Sequence, residues 1–343
     1  MIAEHSIFIY TFAGTCFFMF GMSIASEYLQ KLSSNRIRDS INSIGERPLW
    51  GVLAGVVITV LVQSSGTVTS MLVGLGSAGV VTLRQVMGII LGTGIGTTIT
   101  VQLLSLNIAQ FGLPLFAFSF SVYFLTNKTI VRQVLGVFMG FGLIFWGLEM
   151  IGWGTRELRD IEPFIAGLNY IRNNPMVLLL MSAGVTAVVH SSAVTIGFAM
   201  SLASSGLIDL SDAFYIVYGA NIGTTATALM SSAGGNYIGR QIAWAHCFHK
   251  VTLVTLFYFL TPYFAKIIQT GISSRDVANA HLFFNILGTL LFFPFIKQGA
   301  LIVEKWVKPG EKDREFTTKY LKRGNFESPA VALAHAEREI MRM

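Results

Sequence analysis

Charge is what this sequence most plainly lacks. Only 12% of its 343 residues are Asp, Glu, Lys or Arg, about half the quarter usual in a soluble chain. So few charges cannot cover a water-facing surface, and lipid is the expected solvent for most of the chain. Cysteine is scarce too. Cys16 and Cys247 are too few for a disulfide framework, and both sit in apolar stretches, where unpaired core thiols are expected. The marks of catalysis are also missing. There is no Gly-x-Ser-x-Gly elbow, no His-Glu-x-x-His and no phosphate loop, since no lysine closes the Gly-rich runs. Nor does a Cys, His or carboxylate cluster stand at metal-ligand spacing. An enzyme is not expected.

What is present is apolar length. Residues Ser6 to Ala25, Val134 to Trp153, Ile242 to Leu260 and His281 to Val303 form long apolar stretches, each near the ~20 residues that span hydrocarbon. The first has Glu4 and His5 before it rather than a basic leader, so a retained helix is expected. The net charge of +6 is no nucleic-acid signature, because nine Lys and Arg lie from Lys305 to Arg342. Such clustering marks a cytoplasmic tail.

The chain also repeats itself. At an offset of 127, residues 48–100 align with 175–227 without a gap and share 17 identities in 53 positions. Shared hydrophobicity alone would not set Pro48 on Pro175, Ser64-Ser65 on Ser191-Ser192, or Gly79 on Gly206. Gly92-Thr-Gly-Ile-Gly-Thr-Thr likewise falls on Gly219-Ala-Asn-Ile-Gly-Thr-Thr. A smaller echo at an offset of 35 sets Arg240-x-x-Ala-x-Ala-His246-x-Phe248 on Arg275-x-x-Ala-x-Ala-His281-x-Phe283. Two membrane repeats are expected, 1–132 and 133–304, the second with a final transmembrane helix, followed by a tail over 305–343.

Each copy reads as a spanning helix, a charged polar loop (Lys31 to Arg47; Arg156 to Arg172), then a proline opening a helix too short to span. That short helix ends at Gln63-Ser64-Ser65 or His190-Ser191-Ser192. A second short helix follows and turns at Gly79 or Gly206, and a helix interrupted by Gly-x-x-Ile-Gly-Thr-Thr comes next. Short segments broken at matching points of two halves mark a transporter's binding site, since bare backbone at membrane depth needs protein or a watery cavity around it. A half-helix N-terminus receives an anion, and serine hydroxyls add donors without charge. Serines can also serve as interhelical glue, but two copies at equivalent points favour a site. The glycines pack helices closely, while Thr97, Thr100, Thr224 and Thr227 offer oxygens to a hard cation.

Among the ionisable residues inside the apolar runs, three draw notice. Glu149 is expected to snorkel or to bond another helix. His246 and His281 are expected to bond neighbouring helices. No Arg or Lys is expected in the anion site.

The paired Gln-Ser-Ser and Gly-Ala-Asn-Ile-Gly-Thr-Thr elements resemble those of the sodium/phosphate cotransporters, over about residues 6–300. The resemblance implies an all-α integral membrane protein of two inverted-topology repeats with re-entrant helical hairpins and broken helices. It implies a sodium-coupled carrier of inorganic phosphate in a bacterial inner membrane. By position, Gln63, Ser64, Ser65, Gly66, His190, Ser191, Ser192 and Ala193 would line the substrate site. Thr97, Thr100, Asn221, Thr224 and Thr227 would lie near sodium. The family's third serine is here Gly66 or Ala193, His190 replaces the second glutamine, and Gly94 stands where Asn221 stands in the other copy. An exporter, a proton-coupled anion carrier using His190 and Glu149, or a non-transporting phosphate sensor stay open, as does a homo-oligomer. Phe326 to Met343 resembles the lead-in to a phosphate-regulator-like (PhoU-like) helical domain, which implies a chain cut short inside that domain.

Overall fold

A computed structural model describes residues 2–43, 47–106, 108–271 and 273–310, with 333 and 335–338 beyond them. The tail over 311–332 and 339–343, and with it most of the regulator-like segment, lies outside the described residues. Everything regular among the described residues is helical.

The first copy runs α1 (Ile2–Ser43), α2 (Pro48–Val62), α3 (Ser65–Ser77), α4 (Leu83–Leu104) and α5 (Gly112–Leu125). The second runs α6 (Thr129–Glu157), α7 (Glu162–Arg172), α8 (Pro175–Val189), α9 (Ser192–Ser204), α10 (Leu210–Gly223) and α11 (Thr225–Ser232). Then follow α12 (Tyr237–Tyr258), α13 (Thr261–Ile268), α14 (Ser273–Phe292) and α15 (Ile296–Trp306). Among the described residues, four helices are long and apolar enough to cross a membrane: Ile7–Ser33, Leu83–Leu104, Thr129–Asp160 and Ser273–Trp306. Two bent pairs raise the number to six, α2 with α3 at 117° and α12 with α13 at 82°.

Glycine decides how these helices meet. A Cβ on Gly88, Gly92 or Gly96 would strike Pro48, Val52 or Val56 of α2, and one on Gly219 or Gly223 would strike Leu179 or Ala183 of α8. The contacts are the same pairs moved by 127 residues, so α2 lies on α4 as α8 lies on α10. Small residues let backbones approach in this way. The two long helices α1 and α6 meet through glycine as well: Gly14 faces Gly147, and Gly21 faces Gly140. Rising numbers on α1 meet falling numbers on α6, so these two helices are antiparallel.

Three expectations change. The polar stretch from Lys31 is helical through Ser43, having no proline or glycine before Gly45 to stop it. Helix α4 passes unbroken through Gly92 to Thr98, and only the second copy has a break, one residue long at Thr224. Threonine hydroxyls bond back to carbonyls of the preceding turn in both copies, so these bonds accompany the unbroken helix and the break alike. Finally, Cys16 is exposed on α1 rather than in a core, on a face no other helix covers.

Candidate functional site

Both short helices end in the same unusual way. Gln63 closes α2 at φ 62° and His190 closes α8 at φ 58°, the two non-glycine residues with left-handed backbone among those described. Each keeps its N–H on a threonine carbonyl, Gln63 on Thr59 at 2.7 Å and His190 on Thr186 at 2.8 Å. A left-handed side-chain-bearing residue costs about 1–2 kcal/mol. Keeping that strain at equivalent points of two copies reveals a shared constraint. The next residue is extended in both, Ser64 at φ −153° and Ser191 at φ −143°, and a new helix starts one residue later.

Those starts supply the donors. Ser64 accepts from the Thr67 N–H at 3.2 Å and the Thr67 hydroxyl at 3.0 Å, which caps α3 and leaves its own hydroxyl hydrogen to give. Ser191 makes no side-chain cap to α9. Ser65 and Ser192 open α3 and α9 as buried residues. Unspent N–H groups, the positive end of the helix dipole and neutral hydroxyls form a donor set for an oxyanion.

The expected site residues are joined only in part. Thr100 donates to Gln63 Oε1 at 2.8 Å while Gln63 Nε2 donates to the Val60 carbonyl at 2.6 Å. Gly66 presses its backbone onto the Thr227 hydroxyl and sits near the Thr224 carbonyl, so the first copy's turn rests on the second copy's break. A third serine there would collide with Thr227, and glycine is the residue that fits. Ala193 is buried at the matching place in α9, and α9 in turn touches α4. No hydrogen bond joins the Ser64-Ser65 pair to Ser191-Ser192 among the described residues. Trp153 bonds Glu149 within one helix at 3.1 Å, not across two.

Whether sodium fits can be judged from the oxygens. Thr97, Thr224 and Thr227 donate their hydrogens to the Gly94, Asn221 and Thr224 carbonyls at 2.7–2.8 Å, so their lone pairs are free for a cation. Asn221 is different. Its Oδ1 accepts from Lys250 Nζ at 2.7 Å, and Asn285 Oδ1 accepts from the same ammonium at 2.9 Å. The threonines fit sodium, whereas Asn221 does not while Lys250 holds it.

Lys250 and Asn285 are the residues that sequence reasoning missed. The stretch from Ile242 to Leu260 passed as apolar on average, although an ionisable residue at membrane depth is itself the signal. Lys250 is 1% exposed and donates to Asn221, one of the residues expected near sodium, rather than to any serine of the two turns. His246 and His281 are buried, but their ring nitrogens, like those of His249, have no hydrogen-bond partner among the described residues. They therefore make no hydrogen bond to a neighbouring helix among the described residues. Arg84, by contrast, pairs with Glu304 at 2.7 Å, away from the turns. No group of three or more His, Cys, Asp or Glu that could hold a metal occurs among the described residues.

An all-helical chain with several membrane-length helices and two polar turns between half-helices is, by class, a multi-pass membrane transporter. This chain belongs to the Na+/Pi-cotransporter family, which it matches over residues 17–152 and 162–293. That is a family of phosphate transporters and not of enzymes. The chain is 30% identical over 280 residues to the uncharacterised protein YqeW of Bacillus subtilis, covering 81% of this chain and 91% of that one. It is 24% identical over 331 residues to a protein of Escherichia coli named "Putative inorganic phosphate export protein YjbB", covering 95% of this chain and 60% of the relative. The chain thus spans about three fifths of that relative's length. Over 92 residues, 26% of the chain, it is 39% identical to the human sodium-dependent phosphate transport protein 2B, of which the match covers 13%. No solved structure matches.

Proposed function

We propose that this chain carries inorganic phosphate across a bacterial inner membrane as a secondary transporter. The observation that carries the reading is the doubled turn. Gln63 and His190 share one left-handed conformation, and each is followed by two serines at the free N-terminus of a short helix. In this reading Gln63, Ser64, Ser65 and Gly66 face the anion from one side, and His190, Ser191, Ser192 and Ala193 from the other. Neutral donors bind phosphate without trapping it, and cations nearby compensate its charge.

Sodium is the coupling ion that the family's description supports, with Thr97, Thr100, Thr224 and Thr227 as its oxygens. The copies, 1–132 and 133–304, are related by inversion in the membrane plane, which the antiparallel run of α1 against α6 supports. The basic tail from residue 305 lies on the cytoplasmic side. Outward movement is the second reading, favoured by the names of the export relatives. The test is radiolabelled phosphate flux in liposomes holding this chain alone, with a sodium gradient imposed in either direction. Flux that follows the gradient is expected. No phosphate movement under either gradient defeats the reading, and flux indifferent to sodium defeats the coupling alone.

A further inference from the structure

We propose that the Lys250 ammonium is a resident cation standing in for one of the carrier's coupling ions. The proposal rests on the phosphate-carrier reading for its purpose, though not for its test. Four positions meet at this point. Lys250 Nζ lies 2.7 Å from Asn221 Oδ1 and 2.9 Å from Asn285 Oδ1. Opposite them, a Cβ on Gly94 would stand 3.1 Å from the same nitrogen and 2.6 Å from Asn285 Oδ1.

The four positions form two related pairs. Gly94 and Asn221 are equivalent at the offset of 127, and Lys250 and Asn285 at the offset of 35. Asparagine in every place would gather neutral amide oxygens around one point, as a hard cation requires. Here glycine clears one corner and the lysine fills the space with its own charge.

The amide oxygens are held for this role. Asn221 Nδ2 donates to the Val217 carbonyl at 2.9 Å and Asn285 Nδ2 to the His281 carbonyl at 2.9 Å. With each NH2 group held on its own helix, both oxygens turn towards the cation. No carboxylate pairs with Lys250 among the described residues. Asp212 is engaged by Arg172 and Asp276 by Thr270. The charge is therefore left for an anion that arrives from outside the chain. Gly94 and Thr100 lie six residues apart on α4, about 9 Å along its axis, and Thr100 bonds Gln63. Lys250 thus sits close enough to the turn to attract phosphate, yet too deep to bond it.

The test compares sodium-specific stabilisation of the purified full chain in detergent, as the Tm in sodium chloride minus that in potassium chloride at equal ionic strength. Lys250→Asn should open an oxygen cage for a free ion. Its sodium-specific rise should exceed the wild-type rise by a few degrees. Lys250→Gln, which keeps more of the length, is read in the same way should the first variant fold poorly. A sodium-specific rise no larger than wild type overturns the proposal. So does failure of both variants to fold even in high sodium, since an ammonium that merely replaces an ion must be replaceable by one. The readout uses no phosphate, so it stands or falls apart from the flux experiment.

Discussion

The two turns share a backbone and differ in nearly everything attached to it. Gln63 is buried and tied at both ends of its amide, to Thr100 and to Val60. Ser26 of α1 closes the same turn by donating to the Val62 carbonyl at 2.7 Å. His190 is exposed, and Val185 and Val188 beside it are 49% and 80% exposed. The cause is a difference in covering. Helix α1 packs on α2, whereas α6 packs on α9, and α8 lies on α10 with its other face uncovered. Backbone geometry is thus fixed by each repeat, while access is set by which long helix lies over which hairpin.

If the backbone is common property, breaking it should hurt both copies alike. Gly92→Ala and Gly219→Ala drive a methyl into the carbonyls of Val52 and Leu179. Each should abolish most folded protein, as read by monodisperse yield in size-exclusion chromatography. A well-folded Gly219→Ala protein would mean that α8 is free to move away and that the two copies are held differently.

The next effect belongs to the point where the copies meet. Asn285→Ala removes one of two acceptors from a buried ammonium, at about 1.5–3 kcal/mol. A lower Tm is expected, and an unchanged one would show that Lys250 finds another acceptor at no loss.

Ser26→Ala should cost less, about 0.5–1.5 kcal/mol, and should loosen the first turn only. Hydrogen exchange at Gln63 and Ser64 should rise while exchange at His190 and Ser191 stays as it was. A rise at both turns would contradict the separate covering of the two hairpins.

The smallest effect is expected at His190. Histidine and glutamine offer different donors and acceptors, and His190 is exposed. Phosphate transport by His190→Gln should keep most of the wild-type rate at saturating phosphate. A loss as large as that of a serine variant would make the imidazole an essential ligand of the anion.

Much of this was legible because a repeat fixes residues in pairs. Pro48 with Pro175, Gly79 with Gly206, and Gly92 with Gly219 all take matching places in the fold, down to the positive φ of both turn glycines. Other features were hidden. A Gly-Thr-rich run looks like a helix break, yet α4 continues through its copy and only the second copy breaks, at Thr224. Lys250 vanished into a window average, since one lysine among apolar neighbours hardly lowers mean hydropathy. The uncovered face of α8 has no local signal, because it depends on where α6 lies.

The central claim is that both turns bind one phosphate. It is tested most directly by the half-saturating phosphate concentration for transport in Ser65→Ala and in Ser192→Ala. A lost hydrogen bond to a charged group, about 1.5–3 kcal/mol, should raise it roughly 10- to 150-fold in each variant, with folded yield near wild type. A shift in one variant alone would confine phosphate to one turn, and no shift in either would remove these serines from the site.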